Sequence, residues 1–233
     1  MEITEGQKVA IIVGASGMVG SHLIGQLLDH PAYSKVRSLV RRKGDFKHER
    51  LEEIVIDFDR LSDYDAAFRG QDLFICLGTT RAAAGSAEAF RRVDYDYIVG
   101  CAKAGLAAGC TQLLLVSSAG ADAESTFLYT RTKGETEQAV MQLNYWAARI
   151  FRPSLLLGDR SESRWGETLA IGFMRSLRFF TGAEALGRYA PVEAEDLAHA
   201  MVAAAQSLDP GLHIYEGAAI PELLPAHLPT TTD

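Results

Sequence analysis

Tyr129 and Lys133 stand four residues apart in the run Tyr129-Thr130-Arg131-Thr132-Lys133. On a helix this spacing puts both side chains on one face. An ordinary tyrosine hydroxyl titrates near ~10, too high for efficient proton exchange at neutral pH. A neighbouring ammonium favours the phenolate and brings such a group toward a useful range. A little upstream, the apolar run Gln112–Val116 ends in Ser117-Ser118. A serine hydroxyl there would polarise a carbonyl oxygen while the tyrosine exchanged a proton with it. Tyr-x-x-x-Lys is common by chance, and a half-buried tyrosine beside a solvated lysine is its plain alternative. The weight of the group comes from what precedes it in the chain.

Near the start, the short β-branched run Lys8–Val13 suits a strand buried on both faces. It leads into Gly14-Ala15-Ser16-Gly17-Met18-Val19-Gly20, and a helix pattern follows from Met18 to Asp29, ended by Pro31. A dinucleotide pyrophosphate needs bare backbone amides at a helix N-terminus. Glycines at this spacing allow the tight turn, the close approach of the phosphates and close helix–strand contact.

The second strand candidate, Lys35–Val40, runs straight into Arg41-Arg42-Lys43. An NAD site places a carboxylate there, about 20 residues after the glycines, to hold the ribose hydroxyls. Cations in its place match a 2′-phosphate, so the expected cofactor is NADP(H). Asp57, after a third strand at Glu53–Ile56, is placed to accept from an adenine amino group, with Phe58 beside it. Leu77, Gly78, Thr79 and Thr80 close a fourth strand, Leu73–Leu77, next to the adenosine ribose and pyrophosphate. Val116 closes the fifth. A sixth, Trp146–Phe151, runs into Arg152, Pro153, Ser154 and Leu155 at the nicotinamide end. Each of these segments also reads as an ordinary strand-end turn.

Strands alternating with helices, including long helical stretches over Ala87–Ala108 and Tyr129–Leu143, predict repeated βαβ units. The expected fold is α/β: a doubly wound, mainly parallel Rossmann sheet with helices on both faces. Residues 1–233 are expected to form one domain, with residues 152–190 as a small appendage on the substrate side. The tail Pro221–Asp233 is expected to add little to the core.

The formal net charge of −7 argues against nucleic acid or an anionic membrane as the main partner. The apolar runs fall short of the roughly 20 residues a membrane helix needs. Cys76, Cys101 and Cys110 have no metal-ligand spacing, so packing is their expected role and no metal is expected. No charged-then-apolar signal opens the chain, and the composition reads as a soluble cytoplasmic protein. Monomer and homodimer are both open.

The segments GASGMVG, LVRRK, CLGTTR, RVDYDY, LLLVSSAGAD, FLYTRTKGE and FRPSLLLGDR, with PVEAEDLA near the end, resemble the atypical short-chain dehydrogenase/reductases. Within them the chain is most similar to the Tat-interacting-protein branch, the HTATIP-like oxidoreductases. The resemblance implies a seven-stranded Rossmann sheet, NADPH in the crevice and a serine–tyrosine–lysine group at the nicotinamide. It implies no settled substrate, and the branch holds partner-binding regulators as well as enzymes. Three functions follow as expectations: reduction of a small carbonyl substrate, NADPH sensing with a protein partner, and nucleotide-sugar epimerisation. Arg81 and Arg164 are candidates to meet an anionic substrate.

Overall fold

In the computed structural model, which describes residues 6–158 and 191–224, seven strands form one parallel sheet. They are β1 (Lys8–Val13), β2 (Tyr33–Val40), β3 (Leu51–Val55), β4 (Asp72–Ile75), β5 (Gln112–Val116), β6 (Ala147–Arg152) and β9 (Gly211–Glu216). Their order is β3-β2-β1-β4-β5-β6-β9, and every neighbouring pair is parallel. The order reverses between β1 and β4, which is where ligands bind in an open α/β sheet. Two further strands, β7 (Leu156–Leu157) and β8 (Val192–Glu193), pair in parallel beside it.

The helices cover both faces, as an all-parallel sheet requires. α1 (Met18–Asp29) and α6 (Ala194–Ala205) pack on one side, where Leu23, Leu27, Leu197 and Met201 are fully buried against Ala10, Ile12 and Phe74. α4 (Ile98–Ala107) and α5 (Leu128–Met141) pack on the other, against Ile11, Leu73, Ile75 and Leu113. Alternate residues of β1 and β4 thus feed opposite cores, as the two-residue period of a strand dictates.

The amino ends of the strands are joined by a buried polar cluster. Asp72, fully buried at the start of β4, accepts from Lys8 Nζ at 3.0 Å, Tyr33 OH at 2.7 Å and Gln112 Nε2 at 2.9 Å. Lys8 and Gln112 also donate to the Ala205 carbonyl at the end of α6. Arg149, fully buried, donates to Gln112 Oε1 at 2.6 Å and to the Asp209 carbonyl at 2.9 Å. Burial, reinforced by the Asp72 carboxylate, pushes the Tyr33 hydroxyl well above its ordinary range.

The sequence pattern differs from the structure at several boundaries. β2 begins at Tyr33 rather than Lys35, and β3 begins at Leu51. β4 ends at Ile75, which releases Cys76 and Leu77 into the loop. The helical stretch over 87–108 is broken into α3 (Ala87–Arg91), a π-helical turn (Arg92–Tyr97) and α4. β9 has no counterpart in the residue-pattern reading, because Gly211–Glu216 is an edge strand with a weak apolar signal. The tail contributes more than expected: Leu223 and Leu224 pack on the α1–α6 core. Residues 159–190 of the expected appendage, with Arg164, lie outside the described residues. Cys101 and Cys110 are buried in the α4–α5 core as expected, and burial pushes their thiols up to about 12.

Asp72→Ala would leave a lysine, a buried tyrosine and a buried amide without their shared acceptor. Loss of one partner from a buried pair costs about 3–5 kcal/mol. The unfolding free energy from urea denaturation should fall by that amount, and a loss under about 1 kcal/mol would refute the role given to this cluster.

Candidate functional site

The phosphate loop starts where β1 ends. Gly14 has φ of +92°, a conformation open to glycine, and a Cβ there would lie 2.7 Å from the Cys76 carbonyl carbon. The Gly17 N–H donates to the Gly14 carbonyl at 3.0 Å and closes the turn. A Cβ on Gly20 would lie 2.1 Å from the Gly14 oxygen, so α1 can begin this close to the turn with glycine there. Gly17 caps α1 without any side-chain acceptor, and the first turn of the helix holds no acidic residue. Its amides therefore face an anion with no carboxylate from the helix's own first turn to compete.

Gly14, Ala15 and Ser16 line a cleft of about 530 Å³ together with Arg41 and Arg42. Both arginines are exposed and, among the described residues, neither is ion-paired. Val19 and Gly20 are buried, and Val19 packs in the core rather than facing the cleft. Met18 is half-buried and would touch a Cβ placed on Gly158, at 3.7 Å. The sequence reading missed Glu53 in this cleft; its carboxylate accepts the Gly44 N–H at 3.1 Å.

A second cavity of about 410 Å³ adjoins the first, with Arg41 and Phe58 lining both. Asp57 lines it, but one of its oxygens already accepts the Asp59 N–H at 3.0 Å. Phe58 lies against Tyr97 with ring centroids 5.2 Å apart. Arg92, a lining residue to which the sequence assigned no role, pairs with Asp59 and sits over the Tyr97 ring at 5.8 Å.

At the carboxyl ends of β4, β5 and β6 the expected group is gathered by α5. Lys133 is buried, with 6% of its side chain exposed, while Tyr129 is 36% exposed and its ring meets Phe90 at 5.9 Å. Lys133 Nζ lies 2.8 Å from Asp94 Oδ1. Burial opposes the charge on Lys133, but Asp94, then Tyr129 and Glu137, outweigh it and hold the ammonium above its usual range. Thr79 reaches the same carboxylate: its N–H donates to Asp94 Oδ2 at 2.8 Å. Thr80 is spent locally, its hydroxyl capping α2 (Arg81–Ala84) by accepting from the Ala83 N–H, and Arg81 is exposed at the start of that helix. Leu77 lines the phosphate cleft and Gly78 lies close to the Lys133–Asp94 pair.

The two serines, interchangeable in sequence, are separated by the fold. Ser117 Oγ donates to the buried Glu137 carboxylate, which also receives the Arg152 guanidinium in a bidentate pair. Ser117 is thereby engaged in structure. Ser118 Oγ makes a 3.3 Å bond to the Ala119 carbonyl next to it. The Pro153 carbonyl, just past β6, accepts the Ala119 N–H at 2.9 Å. Val116 and Ser154 are half-buried at their strand ends, and the Leu155 carbonyl accepts from Val192. Glu137 was missed, although it continues the four-residue spacing of Tyr129 and Lys133 along α5. Asp94 stands in the RVDYDY segment, but no role for it could be read there, because its partners come from two other segments.

Gly20→Ala forces a methyl into the Gly14 carbonyl. Overpacking of this kind costs about 1–3 kcal/mol. A lowered melting temperature together with weakened nucleotide binding is expected; an unchanged protein by both measures would contradict the close approach.

Among the described residues no helix is long and apolar enough to cross a membrane, and no cluster has the makings of a metal site. The model of the NAD(P)H-binding family matches residues 14–156. Protein HTATIP2 of Rattus norvegicus is 45% identical over 174 residues, covering 73% of this chain and 72% of its own. Protein fmp52, mitochondrial, of Emericella nidulans is 38% identical over 74% of each chain. Protein FMP52, mitochondrial, of Candida albicans is 35% identical over 84% of this chain and 86% of its own. The mitochondrial names of the two FMP52 relatives overturn the cytoplasmic expectation. Compartment is set by an address that receptors read, and bulk composition does not report it. MoeE5 in complex with UDP-glucuronic acid and NAD superposes with a TM-score of 0.68 at 18% identity, over 89% of this chain and 76% of that one. UDP-glucose 4-epimerase from Thermotoga maritima gives 0.65 at 15% identity, over 89% and 76%. At such identities the likeness concerns the Rossmann fold alone. With the glycine loop and the Tyr129–Lys133 helix inside the matched span, this chain belongs to the NAD(P)H-binding, atypical short-chain dehydrogenase/reductases, on the branch that includes HTATIP2.

Proposed function

We propose that the chain is an NADPH-dependent reductase of a small carbonyl compound. The observation that carries this reading is the placement of Tyr129 and the buried Lys133 on one face of α5, at the carboxyl edge that also holds the glycine loop. The site fits a dinucleotide: α1 has an N-terminus without a side-chain cap or an acid in its first turn, and two exposed arginines line the same cleft. The preference for NADPH over NADH rests on those arginines, since a 2′-phosphate pairs with guanidinium groups where a bare ribose hydroxyl gains little.

The bound cofactor supplies the hydride. The chain's own residues deal with the oxygen. The Ser118 hydroxyl donates a hydrogen bond to the carbonyl oxygen and draws charge toward it. The Tyr129 hydroxyl gives its proton to that oxygen as the carbon is reduced, so one hydride and one proton convert carbonyl to alcohol. Lys133 contributes a fixed positive charge beside Tyr129 and a donor for the nicotinamide ribose. Ser117 stands apart from the chemistry, its hydroxyl given to Glu137.

Three outcomes test the reading. Arg41→Ala/Arg42→Ala should weaken NADPH about ten- to thirtyfold and leave NADH within about twofold, by titration of the nucleotide's own fluorescence. In a screen of small aldehydes and ketones, Tyr129→Phe should lower turnover by about 10²–10⁴-fold with NADPH affinity unchanged. Ser118→Ala should lower turnover, whereas Ser117→Ala should lower the melting temperature and spare kcat. NADPH binding with no turnover on any such compound, and a partner interaction indifferent to Tyr129→Phe, would favour the sensor function instead.

A further inference from the structure

We propose that Asp94 is a positioning residue: it ties the Lys133 ammonium and the loop after β4 into one buried joint, keeping the lysine charged and fixed at the cofactor cleft. The inference rests on the cleft being an NADPH site, as argued above.

Asp94 is fully buried on the π-helical turn between α3 and α4, a kind of turn that recurs at functional sites. One carboxylate oxygen lies 2.8 Å from Lys133 Nζ, and the other accepts the Thr79 N–H at 2.8 Å. Its backbone carbonyl accepts the Thr136 hydroxyl at 2.7 Å, so main chain and side chain are both held by α5 or by the loop. A Cβ on Gly78 would lie 3.7 Å from both Asp94 Oδ1 and Lys133 Nζ, which places the loop directly beside the pair. Three segments distant in sequence therefore meet at one carboxylate.

The charged and titratable groups around Lys133 are few. Asp94 comes from the π-helical turn, and Tyr129 and Glu137 from its own helix, while residues 78–80 of the loop carry none. Glu137 is already engaged by Ser117 and Arg152. Asp94 is thus the counter-charge that Lys133 depends on. Without it, burial of the ammonium would lower its pKa by up to ~3–5 units.

The test is a set of NADPH titrations of the full chain between about pH 7 and pH 10, comparing the unaltered protein with Asp94→Asn. Asparagine keeps the size and an acceptor for Thr79 but not the charge. The cation is the binding form, so affinity is lost as pH rises through its pKa, and lowering that pKa moves the loss to lower pH. Affinity of Asp94→Asn should fall by roughly tenfold or more across the range while that of the unaltered chain stays level. Parallel curves, even with uniformly weaker binding, would mean that Asp94 only supports the fold, and would overturn the inference alone. No NADPH binding by the unaltered chain would overturn the functional reading and this inference with it. Should Asp94→Asn fail to fold, the Lys133 ¹³Cε shift in the unaltered chain, assigned with Lys133→Gln, gives the answer. It should hold steady up to about pH 10, and titration below the ordinary lysine value of ~10.4 would overturn the inference.

Discussion

The turn after β1 lies against the end of β4 with no room for a side chain between them. A Cβ on Gly14 would come within 2.7 Å of the Cys76 carbonyl, and one on Gly20 within 2.1 Å of the Gly14 oxygen. This backbone contact sits at the point where the strand order reverses, so it fixes both the floor of the cleft and the start of α1. The free amides of the helix, the arginines after β2 and the loop after β4 are placed by reference to it.

The two ends of the sheet use buried charge for different purposes. At the amino edge, Asp72 collects donors from β1, β2 and β5, and the cluster is closed over by the end of α6. Its donors converge on Asp72 and on the carbonyl at the end of the helix, away from the cleft. At the carboxyl edge, Asp94 and Glu137 each hold a cation, Lys133 on α5 and Arg152 at the end of β6. Here the polar joints fix the angle of α5 against β4, β5 and β6. A buried ion pair is a weak source of stability and a strong source of geometry when all its partners are satisfied. The carboxyl edge uses it in the second way.

The division of labour between Ser117 and Ser118 follows from that geometry. Consecutive residues leaving a strand point to opposite sides. One hydroxyl reaches Glu137 under α5, and the other remains beside the chain's own Ala119 carbonyl. The choice between them depends on where a residue twenty positions away on another element comes to rest.

What could be read from sequence is what local rules govern. The run Lys8–Val13, the glycine spacing from Gly14 to Gly20, the cations at Arg41 and Arg42 and the register of Tyr129 with Lys133 are all set within a few residues, by strand period, turn sterics and helix pitch. They carried the fold class and the outline of the site. The edge strand Gly211–Glu216 escaped notice because an exposed edge lacks a full apolar run. Asp94, Glu137, Glu53 and Arg92 escaped because a charged residue looks alike in sequence whether it is solvated or buried against a partner. The break of the helix over 87–108 into a π-helical turn likewise answers to packing and not to propensity. Tertiary structure alone decided which serine is given to Glu137 and which carboxylate holds the lysine, since each depends on the meeting of elements far apart in the chain, where burial makes an unpaired charge too costly to leave alone.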